Sequence, residues 1–218
     1  MTVQLPIPDF AAARRTMIDN QLRPVGVTDP LVLEAMGSVA RERFVLEDNR
    51  PLAYADRSLP IGGGRFLAAP AVLGQLLTQM APKPGELALV VGAGTGYTAA
   101  VLGAIGCEAV ALESSAELAA RARELGVETA EGPLEAGHKA GAPYDLILID
   151  GAVETIPDAI VKQLAERGRL GAALAEGGIT RLIVGQKVAG AFGYLSIADA
   201  GVAALPGFSR PRGFRFER

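Results

Sequence analysis

Leu87-Ala88-Leu89-Val90-Val91-Gly92-Ala93-Gly94-Thr95-Gly96-Tyr97-Thr98-Ala99-Ala100-Val101-Leu102 is the stretch whose reading decides the fold. Its first five residues are uniformly apolar, as in a short strand buried on both faces, and the run breaks at Gly92. Gly92, Gly94 and Gly96 alternate with Ala93 and Thr95. Such a backbone can take positive φ and lie against a ligand with no Cβ in the way. Tyr97 to Leu102 reads as a helix start, which aims free N–H groups at the loop.

Spacing narrows what the loop holds. A dinucleotide fingerprint has a third glycine three positions after the second, where pyrophosphate meets the helix, and this chain has Tyr97 there. A dinucleotide-dependent oxidoreductase is therefore disfavoured. The pattern G-x-G-x-G suits a ligand without pyrophosphate, such as S-adenosylmethionine. Glu108 to Leu112 reads as a second strand ending in Glu113, where a carboxylate can accept both ribose hydroxyls. A tight turn would explain the glycines alone; Glu113 at this distance tips the reading toward a nucleoside site.

Working outward, the chain alternates strand and helix. Ser114 or Ser115 can cap a helix that stops at Gly126, Val127 to Ala130 is a short strand, and Tyr144 to Asp150 is a second strongly buried one. This rhythm predicts a parallel sheet with helices on both faces and ligand crevices outside the carboxyl ends of the strands. Gly92–Tyr97, Glu113, Glu131-Gly132 and Asp150-Gly151 all fall at those ends. Further on, the pattern predicts a helix over 157–164, strands over 170–174 and 180–184, a less regular one over 194–197, and a half-wet strand in the tail 213–218.

Upstream, Phe10 to Leu22 has helical spacing and Pro24 is expected to stop it. Thr28 and Asp29 then offer N-cap candidates for a second helix with Pro30 in its first turn, ending near Gly37. Gly62-Gly63-Gly64 is either a plain linker or a lid over a site. Pro70 to Met80 reads as a helix with Leu73, Leu76, Leu77 and Met80 on one face. The domain expectation is one compact unit, in which an N-terminal helical and substrate-loop segment, 1–80, packs on a Rossmann-like core, 81–218.

With 218 residues, half of them apolar, the chain can fill a sizeable core. A net charge of −3 without Lys/Arg runs gives no footprint for nucleic acid or a membrane surface. One cysteine, Cys107, cannot form an internal disulfide and reads as a small buried residue; cytoplasm is the expected compartment. The single histidine, His138, excludes a multi-histidine metal site and reads as a solvated loop residue. No metal is expected, and a monomer is favoured over an oligomer.

Several stretches together resemble the protein-L-isoaspartate (D-aspartate) O-methyltransferase family: MIDNQLRPVGVTDPLVLEAM (17–36), RERFVLEDNRPLAYADRSLPIG (41–62), ALVVGAGTGYTAAVL (88–102), LESSAELAARAREL (112–125) and YDLILIDGAVETIP (144–157). Residues after about 165 match poorly. The resemblance implies an α/β, Rossmann-like S-adenosylmethionine-dependent methyltransferase sheet of seven strands with an N-terminal helical extension. It implies S-adenosylmethionine as donor and methyl esterification of isoaspartyl carboxylates in damaged proteins. By position, Gly92, Ala93, Gly94, Thr95 and Gly96 would form the cofactor loop, Glu113 would hold the ribose, and Glu131 and Gly132 would stand beside the adenine.

The resemblance breaks on the substrate side. Where the family reads approximately G-x-T-I-S-x-P-H/Y, this chain has Gly64-Arg65-Phe66-Leu67-Ala68-Ala69-Pro70-Ala71. Ala68 stands in place of the serine, Phe66 of the threonine and Ala71 of the aromatic or imidazole. Arg65 either supplies a carboxylate partner or points to solvent, the second being favoured. The alternative function is a catalytically impaired S-adenosylmethionine-binding regulatory or interaction module.

Overall fold

Alternation along β3 (Leu87–Val91) divides the core in two. Ala88 and Val90 face a cluster that takes in Met17, Val32, Met36, Leu73, Leu77, Val101, Leu118 and Leu146. Leu89 and Val91 face the other side, with Ile147, Ile149, Leu164, Leu205 and Phe208. Both sets are buried, which is why the strand reads as an unbroken apolar run. The computed structural model describes residues 9–210; the tail strand expected over 213–218 lies outside them.

The first helix, α1 (Phe10–Met17), is capped by Asp9, whose Oδ1 accepts from Ala12 N at 3.0 Å. It continues as a π turn over Ile18–Leu22 and a 3₁₀ turn over Arg23–Val25, ending at Gly26 with φ 85°. Pro24 thus does not stop the chain at Leu22: its missing N–H is harmless at the start of the tighter turn. α2 (Pro30–Ser38) begins as expected, with Asp29 Oδ1 accepting from Leu31 N at 2.9 Å.

A two-stranded antiparallel hairpin follows, β1 (Leu59–Gly62) and β2 (Arg65–Leu67). It forms its own sheet and turns through Gly62, Gly63 and Gly64, all at positive φ. α3 (Pro70–Met80) buries Leu73, Leu76, Leu77 and Met80 on the face that the spacing predicts.

The main sheet holds seven strands in the order β5-β4-β3-β6-β7-β8-β9. They are β3, β4 (Glu108–Glu113), β5 (Thr129–Glu131), β6 (Tyr144–Val153), β7 (Leu164–Glu176), β8 (Ile179–Val188) and β9 (Ala191–Asp199). β5 through β7 pair in parallel; β8 and β9 add antiparallel. α4 (Tyr97–Ile105) and α5 (Ala116–Glu124) make the crossovers beside β3 and β4. The strand order reverses direction between β3 and β6, which is where such sheets hold ligands.

The two faces are covered unequally. α1 to α5 all send buried residues into the first cluster. The second face is covered by a 3₁₀ turn at Leu134–Ala136, the single-turn α6 (Asp158–Val161) and the segment carrying Leu205 and Phe208. The helix expected over 157–164 is cut short because Gln163 turns the chain into the sheet. Its carbonyl accepts from Tyr144 N at 2.8 Å, its side-chain amide donates to Ala136 O and Ala159 O, and Leu164 pairs with Tyr144. β7 therefore starts six residues before the apolar run at Leu170 that marks it in the sequence.

Candidate functional site

The loop after β3 is shaped by its glycines. Gly92, Gly94 and Gly96 have φ of 74°, 57° and 91°, a left-handed region that L side chains rarely adopt. Gly92 N and Ala93 N bond to Leu112 O on β4, at 2.9 and 3.2 Å, and Gly96 N bonds to Ala93 O. Thr95 turns inward and its hydroxyl donates to Phe44 O at 2.6 Å. The register that sets Val91 beside Leu112 brings the loop onto the end of β4.

Glu113 is fully buried, with 0% exposure. Its Oε2 accepts from Gly94 N at 2.7 Å; its Oε1 accepts from Ser114 N at 2.8 Å and Ser115 N at 3.1 Å. The glycine loop and the acid that spacing paired are thus bonded directly to each other. A further donor completes the set: Arg65 Nη1 reaches Oε1 at 2.8 Å, while Arg65 Nη2 donates to Gly92 O at 2.7 Å. Arg65 is 7% exposed. It meets a carboxylate, that of Glu113, and the solvent-facing position favoured from sequence is corrected. Strand alternation explains this: in β1–β2, Leu59, Ile61, Arg65 and Leu67 point inward and Pro60 and Phe66 outward.

Apolar side chains close the remaining space over the loop. A Cβ added at Gly94 would lie 2.5 Å from Ile61 Cδ1, and one at Gly92 would lie 2.7 Å from Leu205 Cδ1. Leu205 also packs against Gly151, and its backbone N donates to Ala152 O at 2.7 Å. Val127 covers Gly96.

Beside this crevice lies a second, half-buried polar group. Asp150 on β6 accepts from the Thr98 hydroxyl at 2.5 Å. Burial pushes its carboxyl above the usual range, opposed by the Thr98 bond and by the fields of Arg65 and Arg41. Arg41 is wholly buried. Its Nε donates to Ala53 O at 2.7 Å, its Nη2 donates to Ala68 O at 2.6 Å, and its guanidinium lies over the Tyr97 ring, 4.9 Å from the centroid. Burial lowers the Arg41 pKa, while Tyr97 and Asp150 hold it up. Arg41 Nη1 and the Tyr97 hydroxyl have no hydrogen-bond partner among the described residues.

Glu131 stands one strand further out. It pairs in register with Glu113 but is exposed, and it forms an ion pair with Arg123 at 2.6 Å. Gly132 N bonds to Glu113 O at 3.1 Å. Ala68 contributes only backbone: with Phe66 and Ala71 beside it, the segment carries no side-chain hydroxyl between residues 65 and 71. His138 is half-buried in a loop and offers its carbonyl to the Tyr144 hydroxyl at 2.8 Å. A cleft of about 500 Å³ lies between Glu154, Asp158, Lys162, Phe192, Tyr194 and Arg210, and none of residues 92–96 lines it. Among the described residues there is no cluster suited to a metal ion and no helix long and apolar enough to cross a membrane.

Arg41, Ile61 and Leu205 carry much of this geometry, and motif spacing did not single them out; Asp150 is among the strand-end residues to which the sequence does point. The available signal for Arg65 was electrostatic: a buried strand-end carboxylate needs a counter-charge, and Arg65 is the one cation in an otherwise apolar segment.

Comparison with known proteins agrees with the architecture. Residues 12–192 match the family model described as Protein-L-isoaspartate(D-aspartate) O-methyltransferase, so the likeness runs past residue 165. The chain is similar to the Protein-L-isoaspartate O-methyltransferase of Koribacter versatilis, 37% identical over 216 residues that cover 95% of this chain and 96% of the relative. It is also similar to the one from Methylorubrum populi, 42% identical over 165 residues covering 73% and 78%. A structure from Plasmodium falciparum assigned to the same enzyme, in complex with S-adenosyl-L-homocysteine, shares the fold with a TM-score of 0.77 at 21% identity, covering 88% of this chain and 97% of that one.

Proposed function

Because the chain belongs to the protein-L-isoaspartate (D-aspartate) O-methyltransferase family, we propose that it is an S-adenosylmethionine-dependent protein carboxyl O-methyltransferase acting on isoaspartyl carboxylates. The observation that carries this reading is the direct bond between Gly94 N and Glu113, which joins the glycine loop and the ribose-type acid at the reversal point of the sheet. When bound, S-adenosylmethionine supplies an electrophilic methyl group. A carboxylate acceptor is already ionised at neutral pH, so the site has mainly to position it and needs no general base.

The residues suit the cofactor in kind but not in space. Gly92, Gly94, Gly96 and Glu113 offer the acceptors and the bare backbone that a nucleoside needs, with Ala93 and Thr95 between them and Glu131 and Gly132 at the rim. Yet Arg65, Ile61 and Leu205 fill the crevice they form. In this arrangement the cofactor does not fit.

The acceptor is a protein or peptide carrying a carboxylate, and the enzyme works as a monomer. The N-terminal 1–80 segment contributes the substrate side and 81–218 the cofactor side. Cytoplasm suits a chain whose single thiol is buried. A second reading, a non-catalytic cofactor-binding module, is favoured by one observation, the absence of a side-chain hydroxyl across residues 65–71. Base-labile methyl release from an isoaspartyl hexapeptide with labelled S-adenosylmethionine separates the two. Turnover above that of the matching aspartyl peptide supports the enzyme, and cofactor binding without turnover supports the module.

A further inference from the structure

We propose that Arg65 is an internal competitor for the cofactor site: its guanidinium occupies the Glu113 carboxylate and the Gly92 carbonyl, and S-adenosylmethionine enters only as the β1–β2 hairpin withdraws. The inference rests on the cofactor assignment above and concerns how this chain regulates access to it.

The acceptors are the starting point. An ionised carboxylate has about four lone-pair positions. On Glu113, Oε1 accepts from Ser114 N, Ser115 N and Arg65 Nη1, with the Ser114 hydroxyl further off at 3.4 Å, while Oε2 accepts from Gly94 N alone. Three of these donors are backbone amides fixed by the loop and by the start of α5. Of the two side-chain donors, Arg65 at 2.8 Å is the close one and the Ser114 hydroxyl at 3.4 Å the weak one. A ribose hydroxyl therefore reaches Oε1 only in place of Arg65, while the second lone pair of Oε2 is left for the other hydroxyl. The same guanidinium takes Gly92 O, an acceptor suited to the ammonium of the methionine end. Arg65 thus presents from inside the chain the two kinds of donor, in one planar fork, that the ligand presents from outside.

The packing moves with it. Ile61, from the same hairpin, sits against Gly94, so withdrawal of one hairpin frees both the charge and the backbone surface. The hairpin makes no strand pairing with the seven-stranded sheet. Gly62 and Gly64, at φ 102° and 72°, have nothing within 4 Å of an added Cβ, leaving the tip room to move. Its base is tied down: Arg41 Nη2 holds Ala68 O at 2.6 Å and Asn49 Nδ2 holds Pro60 O at 3.2 Å. Leu205 is a separate wedge, carried by the segment that bridges Ala204 to Ala152.

Exchange rather than simple loss is expected because Glu113 is never left bare: its three amide bonds persist when Arg65 leaves, and the ligand replaces the fourth. If the open form is a minor population, the apparent affinity falls by that fraction, and removing the competitor restores it.

The test is calorimetry with S-adenosylmethionine and S-adenosylhomocysteine on the full chain and on Arg65→Ala, paired with thermal melting without ligand and with hydrogen exchange of residues 59–67 in the wild type. Competition predicts opposite effects of one substitution: Arg65→Ala melts lower without ligand yet binds at least about tenfold tighter. It also predicts that saturating ligand speeds amide exchange in the wild-type hairpin. If Arg65→Ala binds equally or more weakly and ligand protects the hairpin, competition is overturned while the cofactor assignment stands. If neither protein binds either compound at millimolar concentration, the cofactor assignment fails and the inference falls with it.

Discussion

Arg41 Nη2 and Ala68 O lie 2.6 Å apart, joining two segments 27 positions distant in sequence across the edge of the candidate site. The guanidinium is wholly buried; its Nε donates to Ala53 O and its plane lies over Tyr97, while Nη1 has no partner among the described residues. The residue standing where the family carries its serine is thus held by an arginine from the N-terminal segment, and through its backbone alone.

Replacing Arg41 leaves one buried carbonyl, Ala53 O, and one half-buried carbonyl, Ala68 O, without donors and removes the cation over Tyr97. Arg41→Ala is expected to destabilise the chain by about 3 kcal/mol, and Arg41→Lys by somewhat less, since an ammonium cannot span both carbonyls from one position. Urea denaturation measures both. Equal stability of wild type and Arg41→Ala would show that the buried guanidinium contributes nothing net.

Thr98→Val removes the donor that favours ionised Asp150. Burial raises the Asp150 pKa in the folded chain, so the native state holds a proton that the unfolded chain releases near pH 4. Stability from this group is full below the unfolded value and is lost as pH rises through the folded one. Without Thr98 the folded value climbs further and the loss grows. The unfolding free-energy deficit of Thr98→Val should therefore be small in acid and widen toward neutral pH, reaching about 2 kcal/mol for a bond to a charged group. A deficit independent of pH between 4 and 8 would count against Asp150 as its origin.

The missing hydroxyls offer a gain-of-function experiment. Phe66 is 44% exposed and Ala68 half-buried, so Phe66→Thr with Ala68→Ser leaves the core intact. Methyl transfer to an isoaspartyl peptide is expected to rise at least about tenfold in kcat/KM, because polar groups placed for a carboxylate discriminate strongly. No improvement over wild type would mean that the acceptor is held by other groups.

Cys107 is buried and its Sγ donates to Lys83 O at 3.4 Å. Burial, reinforced by Glu86, pushes the thiol up to about 11. At pH 8 only about one thiol in a thousand is thiolate, so alkylation by iodoacetamide should be slow in the folded chain and rapid in urea. Fast labelling without denaturant would contradict this placement.

The parts of the molecule governed by local rules were legible before the structure. β3 declared itself by its apolar run, α2 by Asp29 and Pro30, and the loop by three glycines whose positive φ only that residue accepts easily. The bond from Gly94 to Glu113 followed from the geometry of a parallel pair. Long-range charge pairing was not legible, because nothing in the spacing of an arginine says which acid 48 positions away it will meet. Nor was Gln163, whose amide ends a helix by finding acceptors in another loop. Leu205 lies in a stretch with no period at all, and only the folded sheet gives it a neighbour at Gly92.

Leu205 and Phe208 also bear on where the protein can be cut. The family match stops at residue 192, yet these two side chains seal the thinly covered side of the sheet against Leu89, Val91 and Ile149. A fragment trimmed to the boundary of sequence likeness would present bare strand to water and be prone to clump. The smallest unit that folds is set by which residues keep that wall dry, and it reaches at least to Phe208.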